Sequence, residues 1–293
     1  MATATALKGA IASYPWQCQG HSITVTYETL GKGPSVLLLP AFSTVSSRTE
    51  MTVLARHLAT DYQVTVIDWP GFGDSDRPRL AYQPELYQRF LREFVTANFT
   101  VPVAVIAAGH AAGYAMAMAD TWSKIILVAP TWKGPLTVMG ASAALRKSVR
   151  ELIRLPFVGS SLYWLNTRPS FLRWMYRRHV FVDDAQLTPD YMAQRHQGTQ
   201  KPGARYAPAA FVTGGLDPVH SRDELLGYFQ TLAAPVLVVV AEQAPPASKA
   251  EMKAIAALSQ IQSVTLPGTL GMAEEYGQEV AGAAISFLQQ ETP

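Results

Sequence analysis

The chain has 293 residues, 48% of them apolar, a formal charge of +2 and one cysteine. That length and apolar share suit an ordinary globular protein of one large domain with room for an inserted subdomain. The small net charge argues against a dedicated nucleic-acid binder, Cys18 has no partner for an internal disulfide, and no window reaches the roughly 18 uninterrupted apolar residues of a membrane span.

The first sixteen residues, MATATALKGAIASYPW, contain no apolar run of signal-peptide length, so a cytoplasmic location is expected. Residues 22–29 alternate with period two and run into Gly31-Lys32-Gly33-Pro34, which predicts an exposed antiparallel strand and a turn. Residues 35–39 are a solid block of Val and Leu ending at Pro40, the pattern of a strand buried on both faces. A Ser- and Thr-rich loop over 41–47 precedes helical spacing over 48–59. Another strand follows at 63–68, closed by Trp69-Pro70-Gly71-Phe72-Gly73-Asp74-Ser75-Asp76-Arg77-Pro78. The next unit, 103–114, organises the chain: an apolar strand breaks into Gly109-His110-Ala111-Ala112-Gly113 and opens an Ala-rich helix. A strand at 124–129 and Pro130-Thr131-Trp132 complete this half. Strand character then lapses over 133–222, which is helical, aromatic and basic. It resumes with a strand at 235–241, a helix near 248–258, a strand at 263–266 and a helix at 278–289. The alternation predicts an α/β protein with a doubly wound, mostly parallel sheet. Residues 1–132 and 223–293 would form the core, and 133–222 a helical cap over the carboxyl ends of the strands, where open α/β sheets bind ligands.

The order of these motifs resembles the α/β-hydrolase fold superfamily from about residue 20 to residue 290. The resemblance rests on Leu37-Leu38-Leu39-Pro40, on the D-x-P-G-x-G-x-S element from Asp68 to Ser75, on the Gly109 to Gly113 turn and on the strand from Pro235. PAFSTVSSRTEM, VAPTWKGP and the stretch from Ala244 to Met252 look like a subgroup found in oxygenic phototrophs and their plastids. The resemblance implies a nucleophile elbow at 109–113, its central residue at a strained, exposed corner, followed along the chain by an acid and a histidine. The nucleophile position holds Ala111, whose methyl group cannot attack a carbonyl. The acid position, after the strand from Pro235, holds Ala244, with Glu242 two residues early. The base position holds Leu270 or Met272, and no histidine occurs after His220. Asp68 and Asp74 suit turn fixing better than acid catalysis.

These positions imply a catalytically degenerate hydrolase-fold protein with an apolar pocket under the cap, framed by Ala41, Phe42, Ser43, His110, Ala111, Ala112, Thr131 and Trp132. The alternative is an active enzyme, esterase-like or non-hydrolytic, with a displaced set drawn from Ser43, Asp217 and a histidine such as His220. No spacing of His or Cys suggests a metal, and Gly71-x-Gly73 lacks the rest of a dinucleotide fingerprint, so no cofactor is expected. Charge is uneven. Eight Lys or Arg against Glu151 give 145–182 a charge of +7, which leaves −5 for the rest of the chain. Arg168, Arg173, Arg177 and Arg178 would form a basic cap face among Trp164, Phe171 and Trp174. Such interleaving suits an anionic membrane surface or an acidic protein partner, and also a lid whose apolar face covers the pocket. The expected partners are therefore an apolar or amphipathic small molecule, a peripheral membrane or a protein, and not nucleic acid.

Overall fold

A computed structural model describes residues 6–291. Strands β1 (Ala10–Cys18), β2 (His21–Leu30), β3 (Ser35–Leu39), β4 (Gln63–Ile67), β5 (Ala104–Ala108), β6 (Ile125–Val128), β7 (Val236–Ala241) and β8 (Gln262–Leu266) form one sheet in the order β1-β2-β4-β3-β5-β6-β7-β8. From β4 across to β8 every pair is parallel, while β1 and β2 add an antiparallel edge. The middle strands β5, β6 and β7 are buried throughout, as a sheet covered on both faces requires. The edge strand β8 carries Gln262, Ser263 and Thr265, which keep it wet.

Helices α1 (Thr52–Leu58), α2 (Pro84–Asn98) and α3 (Ala111–Met116) cross between the first strands. Between β6 and β7 lie α4 (Pro135–Val138), α5 (Ala143–Arg154), α6 (Val158–Asn166), α7 (Pro169–His179), α8 (Pro189–Thr199), α9 (Tyr206–Val212) and α10 (Arg222–Gly227). Helix α11 (Pro246–Ala256) joins β7 to β8, and α12 (Met272–Glu275) and α13 (Gly277–Leu288) end the chain.

Two elements escaped the sequence reading. β1 pairs with β2 through a turn in which Gln19 and Gly20 both take positive φ (49° and 77°), the hand that matches strand twist. Helix α2 has Pro84 in its first turn and buries Leu86, Tyr87, Phe90, Leu91 and Phe94, a spacing that was legible in principle. The helix expected over 48–59 starts as a 3₁₀ turn at Arg48–Met51 before α1. That turn has a cause. Arg48 is buried and gives its Nε to Glu28 (3.0 Å) and its Nη1 to Asp74 (2.7 Å) and Asp68. Asp68 also accepts the backbone N–H of Arg48 (2.6 Å) and of Asp74 (2.8 Å), and a Cβ on Gly73 would sit on its carboxylate. Burial alone would lower the Arg48 guanidinium pKa. Asp68, Asp74 and Glu28 outweigh that and raise it above the usual arginine value.

One cation thus ties β2 to the loops after β3 and β4. Arg48→Met would strand these carboxylates, and a loss of about 3–5 kcal/mol is expected in urea melts, unlike an exposed Arg replacement.

Candidate functional site

Strand order reverses about β3, which pairs with β4 on one side and β5 on the other, so the crevice beyond the carboxyl ends of β3 and β5 is the natural ligand position. The 109–113 turn lies there. Its conformation departs from the strained corner expected of a nucleophile: Ala111 is fully buried in the first turn of α3, and the left-handed backbone is at Gly109 (φ 52°). Gly113 is needed for close approach, since a Cβ there would lie 2.3 Å from Pro218.

The other positions to which the resemblance points, Ala244 and Leu270 or Met272, carry no titratable group. Ala244 and Met272 are buried, Leu270 is partly exposed, and Glu242 is exposed. Of the candidates for displaced chemistry, Ser43 accepts the N–H of Val45 (3.1 Å), a loop bond. His220 is exposed, and its backbone N–H donates to Glu224 (2.7 Å). Asp217 does meet a histidine, but it is His110, with Nε2 3.4 Å from Oδ1. The same Nε2 is 2.9 Å from the Leu216 carbonyl, which can only accept, so Nε2 carries the proton; Nδ1 is buried without a partner. The Tyr114 hydroxyl donates to that carbonyl as well (2.8 Å). Asp217 further accepts the N–H of Gly134 (2.7 Å) and the hydroxyl of Thr137 (2.8 Å). Its carboxylate is thereby committed to holding both ends of the 133–222 segment against the turn. Beside His110 the elbow offers the methyl of Ala111 where a nucleophile would stand.

The residues expected to frame a pocket are mostly packed. Phe42 stacks on Trp69 (4.9 Å between ring centroids) and meets Tyr87 edge-on at 4.9 Å, and Phe211 meets His110 at 5.3 Å. Ala112, Thr131 and Trp132 line an apolar cavity of about 10 Å³, room for no more than one water. A larger cavity, about 310 Å³, lies to one side, between the loops after β3 and β4 and the helices α6, α8 and α9. Ala41, Phe42, Ser43, His110 and Ala111 do not line it. Its polar walls include Arg48, Arg77, Tyr163, Arg195 and Lys201, none of them a site candidate from sequence because no local spacing links them. Among the described residues, no group of three or more His, Cys, Asp or Glu is placed to hold a metal.

The basic segment divides its aromatics. Tyr176 and Leu172 pack with Phe181, Leu187, Tyr191 and Met192 into a small core of their own. Phe157, Trp164 and Trp174 point to water, 86%, 49% and 54% exposed. Phe157 also takes a positive φ (59°), unusual for a bulky residue. Arg168 lies over the Trp164 ring (3.9 Å) and Arg178 over Trp174 (5.9 Å). Arg173 donates to the Leu187 carbonyl, and Arg177 pairs with Asp184 (2.8 Å). A lid with its apolar face turned inward would bury these rings. No described helix is long and apolar enough to cross a membrane.

The sequence profile described as "Alpha/beta hydrolase family" matches residues 36–283. The chain belongs to the alpha/beta hydrolase family. No curated protein sequence matches it. Solved structures of similar fold include Cfl2 from Burkholderia cenocepacia (18% identity, 97% of each chain, TM-score 0.72). A bromoperoxidase from Bacillus anthracis is similar over 95% of this chain and 100% of its own (15% identity, TM-score 0.73). An enol-lactonase from Burkholderia xenovorans is similar over 92% and 97% (15% identity, TM-score 0.68). At such identities the likeness establishes the fold alone.

Burial by itself would raise the Asp217 carboxyl, but His110, Thr137 and the Gly134 N–H outweigh it and hold the pKa below the usual value. Because the folded pKa lies below an unfolded value of about 3.9, the stabilisation is whole above that pH and is lost as pH falls through the folded value. Asp217→Ala is expected to cost about 3 kcal/mol in urea melts at neutral pH, and progressively less below about pH 4.

Proposed function

We propose that this protein is a non-hydrolytic member of the alpha/beta hydrolase family that works by binding, with residues 133–222 as a cap whose outer face rests on an anionic membrane surface. The non-hydrolytic half is carried by Ala111, a buried methyl at the nucleophile position, with Ala244 and Leu270 or Met272 where an acid and a base would stand. The docking half is carried by rings held in water beside arginines. Phe157, Trp164 and Trp174 supply interfacial apolar area, and Arg168 and Arg178 lie beside the two tryptophans with no carboxylate within 4 Å among the described residues. Aromatic rings with adjacent cations suit the boundary between lipid headgroups and acyl chains.

A second reading has one observation in its favour, the 3.4 Å approach of His110 to Asp217. It would make the dyad the base of a rewired enzyme. Against it stand the two hydrogen bonds that already hold the carboxylate, from the Gly134 N–H and the Thr137 hydroxyl, the bond that commits His110 Nε2 to the Leu216 carbonyl, and the lack of a nucleophile at Ala111.

Two experiments test the proposal. Across a panel of acyl esters neither the wild type nor Ala111→Ser is expected to exceed the buffer rate, because a serine there gains no acid from Ala244 and no base from Leu270 or Met272. Wild-type turnover abolished by Asp217→Asn would establish the second reading. In flotation with vesicles containing phosphatidylserine the protein is expected to rise with the lipid, and with phosphatidylcholine alone to stay behind. Arg168→Gln with Arg178→Gln should weaken partition roughly 30-fold, about 1 kcal/mol for each charge. Equal flotation of this variant and the wild type would refute the docking surface.

A further inference from the structure

The cavity of about 310 Å³ beside the elbow is rich in donors and short of acceptors. Four cations line it, Arg48, Arg77, Arg195 and Lys201, against one carboxylate, Asp74. Most of that positive charge is answered from behind the walls. Arg48 is held by Glu28, Asp68 and Asp74. Arg195 pairs with Glu274 and lies 3.8 Å from Glu50. Lys201 shares Asp74 and donates to the Gly73 carbonyl at 3.1 Å. Asp74 stays ionised: burial opposes it, but Lys201 and Arg48 bring its pKa down to about 2. Burial pushes the Glu50 carboxyl up despite the nearby Arg195.

Arg77 differs from the other three. It donates to the Gly73 carbonyl, and among the described residues no carboxylate lies within 4 Å of it. An arginine kept partly from water with its charge unanswered is costly unless something else supplies the counter-charge. A second group in the same wall is also unsatisfied: the Tyr163 hydroxyl is buried and makes no hydrogen bond. Thr44, Ser47, Gln194 and Gln197 add neutral donors, while Val45 and Pro208 give the cavity an apolar side. The volume is that of a small-molecule site.

We propose that this cavity binds the oxyanion headgroup, carboxylate or phosphoryl, of a small molecule, with Arg77 as its principal counter-charge and Tyr163 and Lys201 as supporting donors. The guanidinium fork suits either headgroup in two-point contact. This site is separate from the elbow and from the exposed rings of the cap, and it stands whether or not the protein docks on membranes.

The test is calorimetric titration of the full chain in lipid-free buffer, with inorganic phosphate and with propionate, ionic strength being held constant with chloride. At least one of the two is expected to bind with a millimolar or tighter dissociation constant. Arg77→Gln should weaken it about tenfold or more, the worth of a charged hydrogen bond, while Lys32→Gln on a distant turn leaves it unchanged. Tyr163→Phe gives a second handle should Arg77→Gln fold poorly. It should weaken binding several-fold while leaving the free protein as stable as the wild type or more so, because it removes an unpartnered buried hydroxyl. Failure of both anions to bind, or affinity unchanged in the variants that fold, would overturn the site. Failure of vesicle docking with anion binding intact would count against the membrane reading alone.

Discussion

The arrangement around the elbow depends on one carboxylate. Asp217 accepts the N–H of Gly134, 83 positions earlier, and so closes the long helical segment at its base. Closing a loop of that length costs roughly 4 kcal/mol of chain entropy beyond a constant, and a few strong bonds at the neck offset it. The same carboxylate reaches His110, and its neighbour Leu216 accepts from both His110 and Tyr114. Pro218, the next residue, rests so near Gly113 that no side chain fits between them. The neck of the insertion is therefore fastened to the very turn where a hydrolase of this fold presents its nucleophile.

That fastening leaves the turn closely packed. An exposed nucleophile at a strained corner requires free space above it and a base within reach. Here the imidazole beside the corner serves as a structural donor, Phe42 and Phe211 pack near it, and Ala111 relaxes into ordinary helix. Strain at such a corner serves catalysis, and with a methyl group there the backbone has no reason to store it. The left-handed residue moves back to Gly109, which tolerates that conformation at little cost.

Charge is organised at two levels. The buried arginines Arg48 and Arg195 are each met by carboxylates from other parts of the chain, so they act as internal ties. Arg168, between α6 and α7, and Arg178, on α7, instead lie over exposed tryptophans and meet water. Arg77 falls between these cases, neither solvated like the second group nor compensated like the first. That position makes the cavity wall electrostatically unfinished in the absence of an anion.

The sequence alone determined the order of strands and helices and the parallel core, because solid Val and Leu blocks separated by glycine and proline turns are local signals. The side chains of Ala111, Ala244, Leu270 and Met272, the positions to which the resemblance points, hold no titratable atom wherever they fold. Weaker local patterns give weaker signals: β1 alternates irregularly around Pro15, and α2 begins after a long loop. Tertiary structure decided what depends on distance between remote residues. It paired Asp217 with His110 rather than with the nearby His220, because the neck turns inward and leaves His220 in water. It drew Arg77, Tyr163, Arg195 and Lys201 from separate elements around one cavity, and it sorted the aromatics of 145–182 into an inner core and an outer face. Spacing along a chain reports which side of a helix a residue occupies, but which side meets the core is set only when the elements pack.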